Sequence, residues 1–274
     1  MSKLSRKPIA VLTALALTAG LLMLSSSVSG AATIDLGTSS VANQALAASA
    51  ASTAPIWMKN AVIYQVNTRQ YSAAGTFDAV TADLGRLQKL GVDILWLMPI
   101  HPIGEVGRKG SMGSPYSVAD YYGVNPDLGT EADLRELIDG AHAKGMKVIL
   151  DWVANHSSFD NPWITDHKDW YTQDGQGNVV PPNADWTDVA DLNFDVPAMR
   201  VGMIDALKYW VREFGVDGYR CDVAWGVPVD FWNDATAALQ QIKPVYMLAE
   251  ADGNPALLQD AFLSDYGWKF KDLL

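Results

Sequence analysis

The sequence predicts an α/β protein built on a parallel sheet. Strand-like and helix-like segments alternate along the chain, and no short antiparallel hairpin signal interrupts them. Several strand segments are apolar over most of their length, which is typical of strands buried on both faces. Two architectures share this pattern, a closed (β/α)8 barrel and an open doubly wound sheet. The barrel is favoured because no Gly-rich phosphate loop follows the first strand, and polar residues cluster where several strands end.

The first two predicted strands and the helix between them each have a short sequence signal. Residues 62–66 form a short β-rich run. Apolar residues at helical spacing then begin after Thr76, a residue type favoured at N-caps, and continue to Gly91. An apolar run at residues 93–98 predicts the second strand, and Pro99 closes it.

The next helix carries a sequence signal at each end. Thr130 and Asp133 have the spacing of a capping box, and Gly145 follows the last apolar position. A strand over residues 147–151 comes directly after this glycine. Helix and strand thus follow each other with almost no loop.

The last part of the chain repeats the alternation. Pro197 begins a helix that Gly215 ends. Its predicted apolar face comprises Val201, Ile204, Leu207, Val211 and Phe214. A strand, a helix, a strand, a second helix and a candidate sixth strand follow at residues 216–222, 229–242, 245–250, 254–262 and 261–266.

Composition predicts a well-packed globular domain. Hydrophobic residues make up 49% of the 274 residues and charged residues 19%, with ten Trp and ten Tyr, so a sizeable core can form. The net charge of −11 and the lack of a basic stripe argue against nucleic acid and anionic membranes as partners. The single cysteine, Cys221, excludes an intramolecular disulfide and a cysteine-based zinc site.

The N-terminus has the layout of an export signal. Three basic residues precede an apolar run at residues 9–24, and small residues follow it. This run is shorter than the about 20 apolar residues of a spanning helix. We therefore predict a signal peptide over residues 1–31, a flexible leader over 32–55 and a folded domain over 56–274. The protein is expected to be exported, periplasmic or extracellular, with no stable membrane span after signal cleavage.

Charged residues end two neighbouring strands of the predicted sheet. Arg220 and Asp222 lie two residues apart and share one face of their strand, so the guanidinium is expected to keep the Asp222 pKa low. Glu250 has no cation within two residues, so its carboxyl is the candidate for a raised pKa. Retaining glycoside hydrolysis needs two such carboxyls, held about 5–5.5 Å apart. A structural ion pair beside a solvated strand end explains the same residues, and both interpretations stand at this point.

Three strand-end motifs together resemble a known family. They are Asp151-Trp-Val-Ala-Asn155-His156, Gly218-Tyr-Arg220-Cys-Asp222 and Ala249-Glu250, in that order. Two further segments lie in the expected intervals, Ser114-Pro-Tyr116-Ser-Val-Ala-Asp120-Tyr and Asp191-Leu-Asn193-Phe. The set is similar to the signature regions of the α-amylase superfamily of glycoside hydrolases (family 13 type) and spans residues 57–270.

The resemblance implies a role for each residue of the site. Asp222 is the expected nucleophile, Glu250 the general acid/base, and Arg220 the partner of the nucleophile. Tyr116 is expected to stack beneath the bound sugar, and His156 to donate a hydrogen bond to it. The implied substrate is an α-glucan, such as starch or a maltooligosaccharide.

The resemblance also implies a (β/α)8 barrel with a small B domain inserted after the third strand, at residues 152–195. About half of the tryptophans in this insert are expected to pack its core rather than contact sugar. We interpret Asp151 as orienting Arg220. Cys221 is interpreted as a buried packing residue, because strand alternation points it away from Asp222.

Calcium is the candidate cofactor. Many relatives hold a structural calcium between the B domain and the barrel, and Asn155 and Asp191 are hard oxygen ligands at matching positions. Trp225 and Gly226 stand where numerous amylases carry Lys-His. This departure weighs against the calcium site and against a sugar contact from that lysine.

The family's fourth signature region, an Asn-His-Asp set on the seventh strand, has no match before Leu274. A complete barrel has eight βα units. We therefore expect an incomplete barrel of about five to six units, from a C-terminally truncated sequence or a defective remnant. Its two open sheet edges are expected to leave it poorly folded and inactive when alone.

The sequence thus predicts an exported, retaining α-glucan hydrolase of the α-amylase type. A transglycosylase of the same superfamily would share Asp222 and Glu250, and product analysis on maltooligosaccharides separates the two. A noncatalytic carbohydrate-binding remnant is the alternative from another class, and sugar affinity without turnover would indicate it. Neither linkage preference nor oligomeric state follows from the sequence.

Overall fold

The computed structural model describes residues 56–274. Its strands are β1 (Ile63–Val66), β2 (Ile94–Leu97), β3 (Lys147–Val153), β4 (His156–Ser158), β5 (Val189–Asp191), β6 (Gly218–Asp222), β7 (Tyr246–Ala249) and β8 (Ser264–Asp265). Six of them form one sheet in the order β1-β2-β3-β6-β7-β8, and every neighbouring pair is parallel. The order follows the chain without reversal, whereas a doubly wound sheet reverses at a switch point. The architecture is therefore that of an incomplete (β/α)8 barrel, as predicted.

The helices are α1 (Thr68–Tyr71), α2 (Phe77–Leu90), α3 (Glu131–Ala143), α4 (Pro162–Asp166), α5 (Pro197–Glu213), α6 (Val229–Gln240), α7 (Leu257–Asp260) and α8 (Trp268–Lys271). Short 3₁₀ turns occupy Ile56–Met58, Lys168–Trp170 and Ala224–Gly226. Helices α2 and α3 pack side by side, as do α5 and α6. Among residues 56–274, no helix is both long enough and apolar enough to cross a bilayer. The predicted signal peptide and leader lie outside the described residues.

The predicted helix ends are mostly confirmed. Asp133 donates its backbone N–H to Thr130 Oγ1 at 3.3 Å and accepts the Thr130 N–H at 2.7 Å, so the capping box of α3 forms. Gly91 ends α2 in the left-handed conformation, with φ at 88°. Thr76 precedes α2 as predicted, but its side chain makes no capping hydrogen bond.

Two helix predictions were right only in part. Leu207, Val211 and Phe214 of the predicted α5 face are buried, but Val201 is 59% exposed, and the buried side of α5 also includes Met199, Met203, Ala206 and Trp210. The long Met and Trp side chains bury more apolar area than Val201 does, and their face is the one turned to the core. Only α7 is helical within the predicted 254–262 segment, where Pro255 and a left-handed Gly253 precede it.

The segment between β3 and α5 contains an antiparallel pair that the sequence did not predict. Strands β4 and β5 pair with His156 opposite Asp191. About thirty residues separate them, so no turn signal marks the pairing. Strand β3 continues to Val153, so Trp152 belongs to the barrel strand rather than to the insert. The B-domain boundaries of 152–195 otherwise stay a prediction.

The inner face of the sheet places the polar site above an apolar layer. A separate buried cluster on this face consists of Ile94, Trp96, Ile149, Tyr246 and Leu248. The main core lies on the other face of the sheet, between the strands and the helices. Side chains on one face of a strand recur every second residue. The next positions on this face are therefore Asp151 on β3 and Glu250 just after β7, towards the carboxyl ends of the strands.

Candidate active site

Strand register brings the predicted charged residues together. Asp151 on β3 is the register partner of Arg220 on β6, and Val153 is the partner of Asp222. The Glu250 N–H donates to the Cys221 carbonyl at 3.0 Å, which extends the ladder between β6 and β7 past the end of β7. Parallel strands in register thus put three carboxyl groups around one guanidinium at the carboxyl end of the sheet, where barrel enzymes carry their active sites.

Arg220 is the centre of this cluster. Its Nη1 lies 2.8 Å from Asp151 Oδ1 and 2.8 Å from Asp222 Oδ1, while Nη2 lies 2.8 Å from Glu250 Oε1. Its Nε donates to the Tyr266 hydroxyl at 2.9 Å. Burial lowers the pKa of Arg220, but the surrounding carboxylates more than offset this and the net shift is upwards. The guanidinium therefore stays charged and fixes three side chains from three strands.

Asp151 is the innermost carboxyl and is fully buried. Besides Arg220, the Trp96 indole donates to its Oδ2 at 3.1 Å and the Tyr116 hydroxyl does so at 3.3 Å. Burial raises the pKa of Asp151 to about 6, although these donors oppose the shift. It lies within β3, two residues before the strand ends. These contacts agree with the prediction that Asp151 orients Arg220.

The pKa difference predicted between Asp222 and Glu250 rested on two premises, and both are wrong. Burial raises the pKa of Asp222, and the nearby Asp151 and Glu250 carboxyls raise it further, so the pull from Arg220 does not keep it low. Glu250 does have a cationic neighbour, because Arg220 reaches it across the strand boundary. Sequence separation hid this contact, since the two residues are thirty positions apart but lie on adjacent strands.

Val223 is a site residue that the sequence analysis missed. Its φ is +46°, the only positive φ of a non-glycine among residues 56–274. A β-branched residue in this region is strained, and such strain concentrates at functional sites. The turned backbone directs the Val223 N–H at Glu250 Oε2, 2.9 Å away. One residue after Asp222 therefore fixes the second carboxyl of the pair.

Asp222 and Glu250 line a cavity of about 340 Å³, which we call the cleft. Its lining includes Asp222, Glu250, Tyr116, His156 and Trp186. Tyr116 and His156, predicted to contact sugar, thus face the same space as the carboxyl pair. Trp186 is one of the tryptophans of the predicted insert, about half of which were expected to pack its core.

His156 is neutral at neutral pH. Burial lowers its pKa to about 4, while the neighbouring Asp188 acts in the opposite direction. The Asn155 amide nitrogen lies 3.2 Å from His156 Nδ1. The Asn155 NH2 group can only donate, so Nδ1 accepts in this contact and the ring proton is assigned to Nε2.

The other tryptophans pack. Trp152 is fully buried against His101 and Tyr219, and Trp163 meets Trp170 edge-on at 5.1 Å. Cys221 is fully buried, and burial raises the pKa of its thiol, in agreement with a packing role.

The predicted calcium ligands lie on neighbouring segments but form a weak donor set. Asn155 accepts the Leu192 N–H at 3.2 Å with its backbone carbonyl, next to Asp191. Asp191 Oδ2 already accepts the Thr172 hydroxyl at 2.7 Å. Within residues 56–274, no group of three His, Cys, Asp or Glu side chains converges as a metal site. Asn155 and Asp191 do not by themselves make a calcium site, and calcium stays a prediction.

Fold and site together define the class of protein. A cluster of carboxylates held by one arginine, at the carboxyl end of parallel barrel strands and open to a cleft, is the arrangement of a (β/α)-barrel enzyme. The family model described as the catalytic domain of α-amylase matches residues 51–243. The chain belongs to the α-amylase family.

Several relatives illustrate this membership. An α-amylase of Haloarcula japonica is 34% identical over 193 residues, covering 66% of this chain and 28% of that protein. An α-1,4-glucan:maltose-1-phosphate maltosyltransferase of Cereibacter sphaeroides is 32% identical over 218 residues, covering 72% of this chain and 36% of that protein. The crystal structure of an α-amylase from Lactobacillus plantarum superposes with a TM-score of 0.76 at 44% identity, covering 79% of this chain and 55% of that one. The chain thus spans about a third of these two curated relatives and about half of the crystal structure.

Proposed function

We propose that this chain carries the catalytic carboxyl pair of a retaining glycoside hydrolase that acts on α-glucans, with Asp222 as nucleophile and Glu250 as general acid/base. The observation that carries the proposal is that Arg220 holds both carboxyls at 2.8 Å in one cleft. Two carboxyls that share one guanidinium are close neighbours, and a short separation favours retention over inversion.

The exposure of the three carboxyls supports this division of roles. The Glu250 side chain is 27% exposed, that of Asp222 10% and that of Asp151 fully buried. A general acid/base exchanges protons with a leaving group and then with water, so it must be the accessible member. A nucleophile needs a fixed position, which Arg220 provides for Asp222. Asp151 cannot reach a sugar and acts through Arg220.

The charge balance supports a shared proton. Three carboxylates surround one guanidinium in a largely buried site, and burial raises the pKa values of Asp151 and Asp222, with the neighbouring carboxylates adding to the shift of Asp222. The reaction needs one carboxylate and one carboxylic acid at the same time. The raised pKa of Asp222 favours a proton within the cluster, and the proposed roles require that proton to be on Glu250 when Asp222 attacks.

Tyr116 and His156 are the proposed sugar contacts. The Tyr116 hydroxyl is tied to Asp151, which leaves a ring face for an apolar sugar face. His156, neutral with its proton on Nε2, offers a hydrogen-bond donor without adding a positive charge. A neutral donor suits a neutral glucan.

A transglycosylase is the second candidate, because a maltosyltransferase is about as similar to this chain as the α-amylase is. Both reactions begin with the same glycosyl-enzyme intermediate and differ in the acceptor that resolves it. Product analysis with maltoheptaose decides between them. Shorter sugars alone indicate hydrolysis, and products longer than the substrate indicate transfer.

The test of the carboxyl pair is Asp222→Asn in the full-length protein. The amide keeps the shape but cannot attack, so turnover of maltoheptaose should fall by at least about 10³-fold while binding persists. Asp205→Asn, which removes an exposed carboxyl on α5, is the matched control and should leave turnover unchanged. Turnover of the Asp222 variant within tenfold of wild type would refute the assignment.

We further propose that the protein is exported, on the basis of the predicted signal over residues 1–31. N-terminal sequencing of the protein from medium and periplasm should find a start near residue 32. An intact Met1 in the mature protein would contradict export by this signal.

A further inference from the structure

Lys109 connects two loops at the rim of the cleft. Lys109 lies in the loop after β2, and its ammonium group is 3.0 Å from Asp188 Oδ1. The same ammonium donates to the Asp185 carbonyl at 2.6 Å. Both partners belong to residues 183–188, the segment that leads into β5. Lys109 therefore holds this segment at two points, one on either side of Trp186.

The backbones of the two loops also approach closely. Gly107 has a φ of +70°, and a Cβ at this position would lie 2.7 Å from the Thr187 carbonyl oxygen. Only glycine permits this contact without displacement. From the other side, the Ser117 hydroxyl donates to the Asp188 carbonyl at 2.8 Å. The segment is thus seated by backbone contacts, and Lys109 adds the charged connection.

Lys109 is the ion-pair partner of a buried carboxylate, Asp188. The Asp188 side chain is 7% exposed, whereas that of Lys109 is 48% exposed. Among residues 56–274, Lys109 is the only cation within salt-bridge distance of Asp188. A buried carboxylate left without its partner is costly, so loss of the ammonium would displace Asp188 and the segment with it.

Trp186 is what this segment presents to the cleft. Its ring meets the His156 ring edge-on, with centroids 5.5 Å apart. Both rings line the cleft together with Asp222 and Glu250. An indole is a broad, stiff surface with few rotamers, so a fixed Trp186 loses little entropy when a ligand packs on it.

We propose that Trp186 is a sugar-contacting wall of the cleft and that Lys109 is a positioning residue that holds this wall in place. The inference rests on the proposed function, since it takes an α-glucan as the ligand. In this proposal, the inserted segment rather than the barrel strands supplies a residue that determines substrate specificity. Lys109 itself borders the cleft, and in this proposal it acts by holding Trp186 rather than by binding the sugar.

The experiment is a double-mutant cycle in the full-length protein, with KM and kcat for maltoheptaose and its Kd by calorimetry. Lys109→Met and Trp186→Ala should each raise KM and Kd about tenfold, with kcat within about twofold of wild type. The double variant should match either single variant, because both remove the same wall. Lys109→Arg keeps the cation and should restore KM. Lys89→Met, an exposed lysine on α2, is the matched control and should behave as wild type.

Multiplied effects in the double variant would mean that Lys109 contacts the sugar itself, which overturns the positioning role. An unchanged KM and Kd in Trp186→Ala would overturn the wall. If the wild type binds maltoheptaose without turning it over, the proposed catalytic function fails, and the Kd cycle still decides the present inference. If the wild type neither binds nor cleaves it, both fail.

Discussion

Asp217 offers a sharp test of what holds the amino ends of the strands together. It precedes β6 at the opposite end of the sheet from the cleft, and its side chain is 1% exposed. His142 Nε2 lies 2.6 Å from its carboxylate, Lys243 Nζ 2.9 Å and Lys147 Nζ 3.3 Å, and the Val148 N–H donates at 3.0 Å. One carboxylate thus joins α3, β3 and the segment before β7.

The magnitude follows from these contacts. Removing one partner of a buried ion pair costs about 3–5 kcal/mol, because the remaining charges and donors lose their acceptor. The side chains of His142, Lys147 and Lys243 are each about a third exposed and can turn to water, which places Asp217→Ala near the lower end. Asp217→Asn keeps the shape and one acceptor oxygen, and should cost about 1.5–3 kcal/mol, the value of one hydrogen bond to a charged group.

Urea unfolding as a function of pH is the assay. Burial alone would raise the Asp217 pKa, but the hydrogen bonds from His142 and Lys243 outweigh it and hold that pKa well below its usual range. The folded state then binds fewer protons than the unfolded state in acid. The stability that Asp217 contributes is therefore complete above about pH 5 and is lost as the pH falls past about 4, where the unfolded carboxyl takes up its proton.

The difference between wild type and Asp217→Asn should accordingly shrink between pH 7 and pH 3. Asp205→Asn removes an exposed carboxylate that pairs with Lys208, and as the control it should change stability little at any pH. A loss below 0.5 kcal/mol for Asp217→Ala at pH 7 would refute the reasoning, since that is the scale of an ordinary surface substitution, ~0.5 kcal/mol. A pH-independent difference would refute the electrostatic cause.

Three further predictions concern the cleft and the core. Glu250→Gln should slow maltooligosaccharides far more than activated aryl glycosides, because good leaving groups need little protonation; equal losses in steady-state assays would remove Glu250 as the acid. Tyr116→Ala should weaken substrate use by about 1–3 kcal/mol, whereas Tyr116→Phe, which loses only the contact with Asp151, should keep most of kcat/KM. If Tyr116→Ala lowers only the thermal stability, the Tyr116 ring is a core residue and not a sugar contact. His101 is fully buried with its Nδ1 at the Gly123 carbonyl, and burial lowers its pKa to about 4. Its folded state resists protonation, so wild type should lose about 2 kcal/mol between pH 7 and pH 5 that His101→Leu does not lose, and parallel stability curves would contradict this.

The fold was largely readable from the sequence because its signals are local. The capping box at Thr130 and Asp133, the glycine at position 91 and the wholly apolar β2 each act within a few residues. The face of α5 was readable only in part, because the periodicity predicted Leu207, Val211 and Phe214 correctly but included Val201 in place of Met203. The sheet decides which of them is covered. The β4–β5 pair was also hidden, since its partners are distant in sequence.

The candidate site was readable in its members but not in its electrostatics. Asp151, Arg220, Asp222 and Glu250 were each picked out from strand ends and motifs. Their pKa order was inferred from neighbours in sequence, and this failed because Arg220 bonds to Glu250 across two strands. Val223 was missed for another reason, because a valine gives no sequence signal for a left-handed backbone conformation.

The sequence by itself determined the α/β alternation, the family and the residues proposed to carry the chemistry, because these depend on periodicity and on motifs whose parts are adjacent. Only the tertiary structure decided the charge state around Arg220, the turn at Val223 and the hold of Lys109 on the segment that carries Trp186. These features depend on distances between residues far apart in the chain, and on burial, which sets the cost of each charge. Both quantities exist only once the strands are in register and the loops are closed over the cleft.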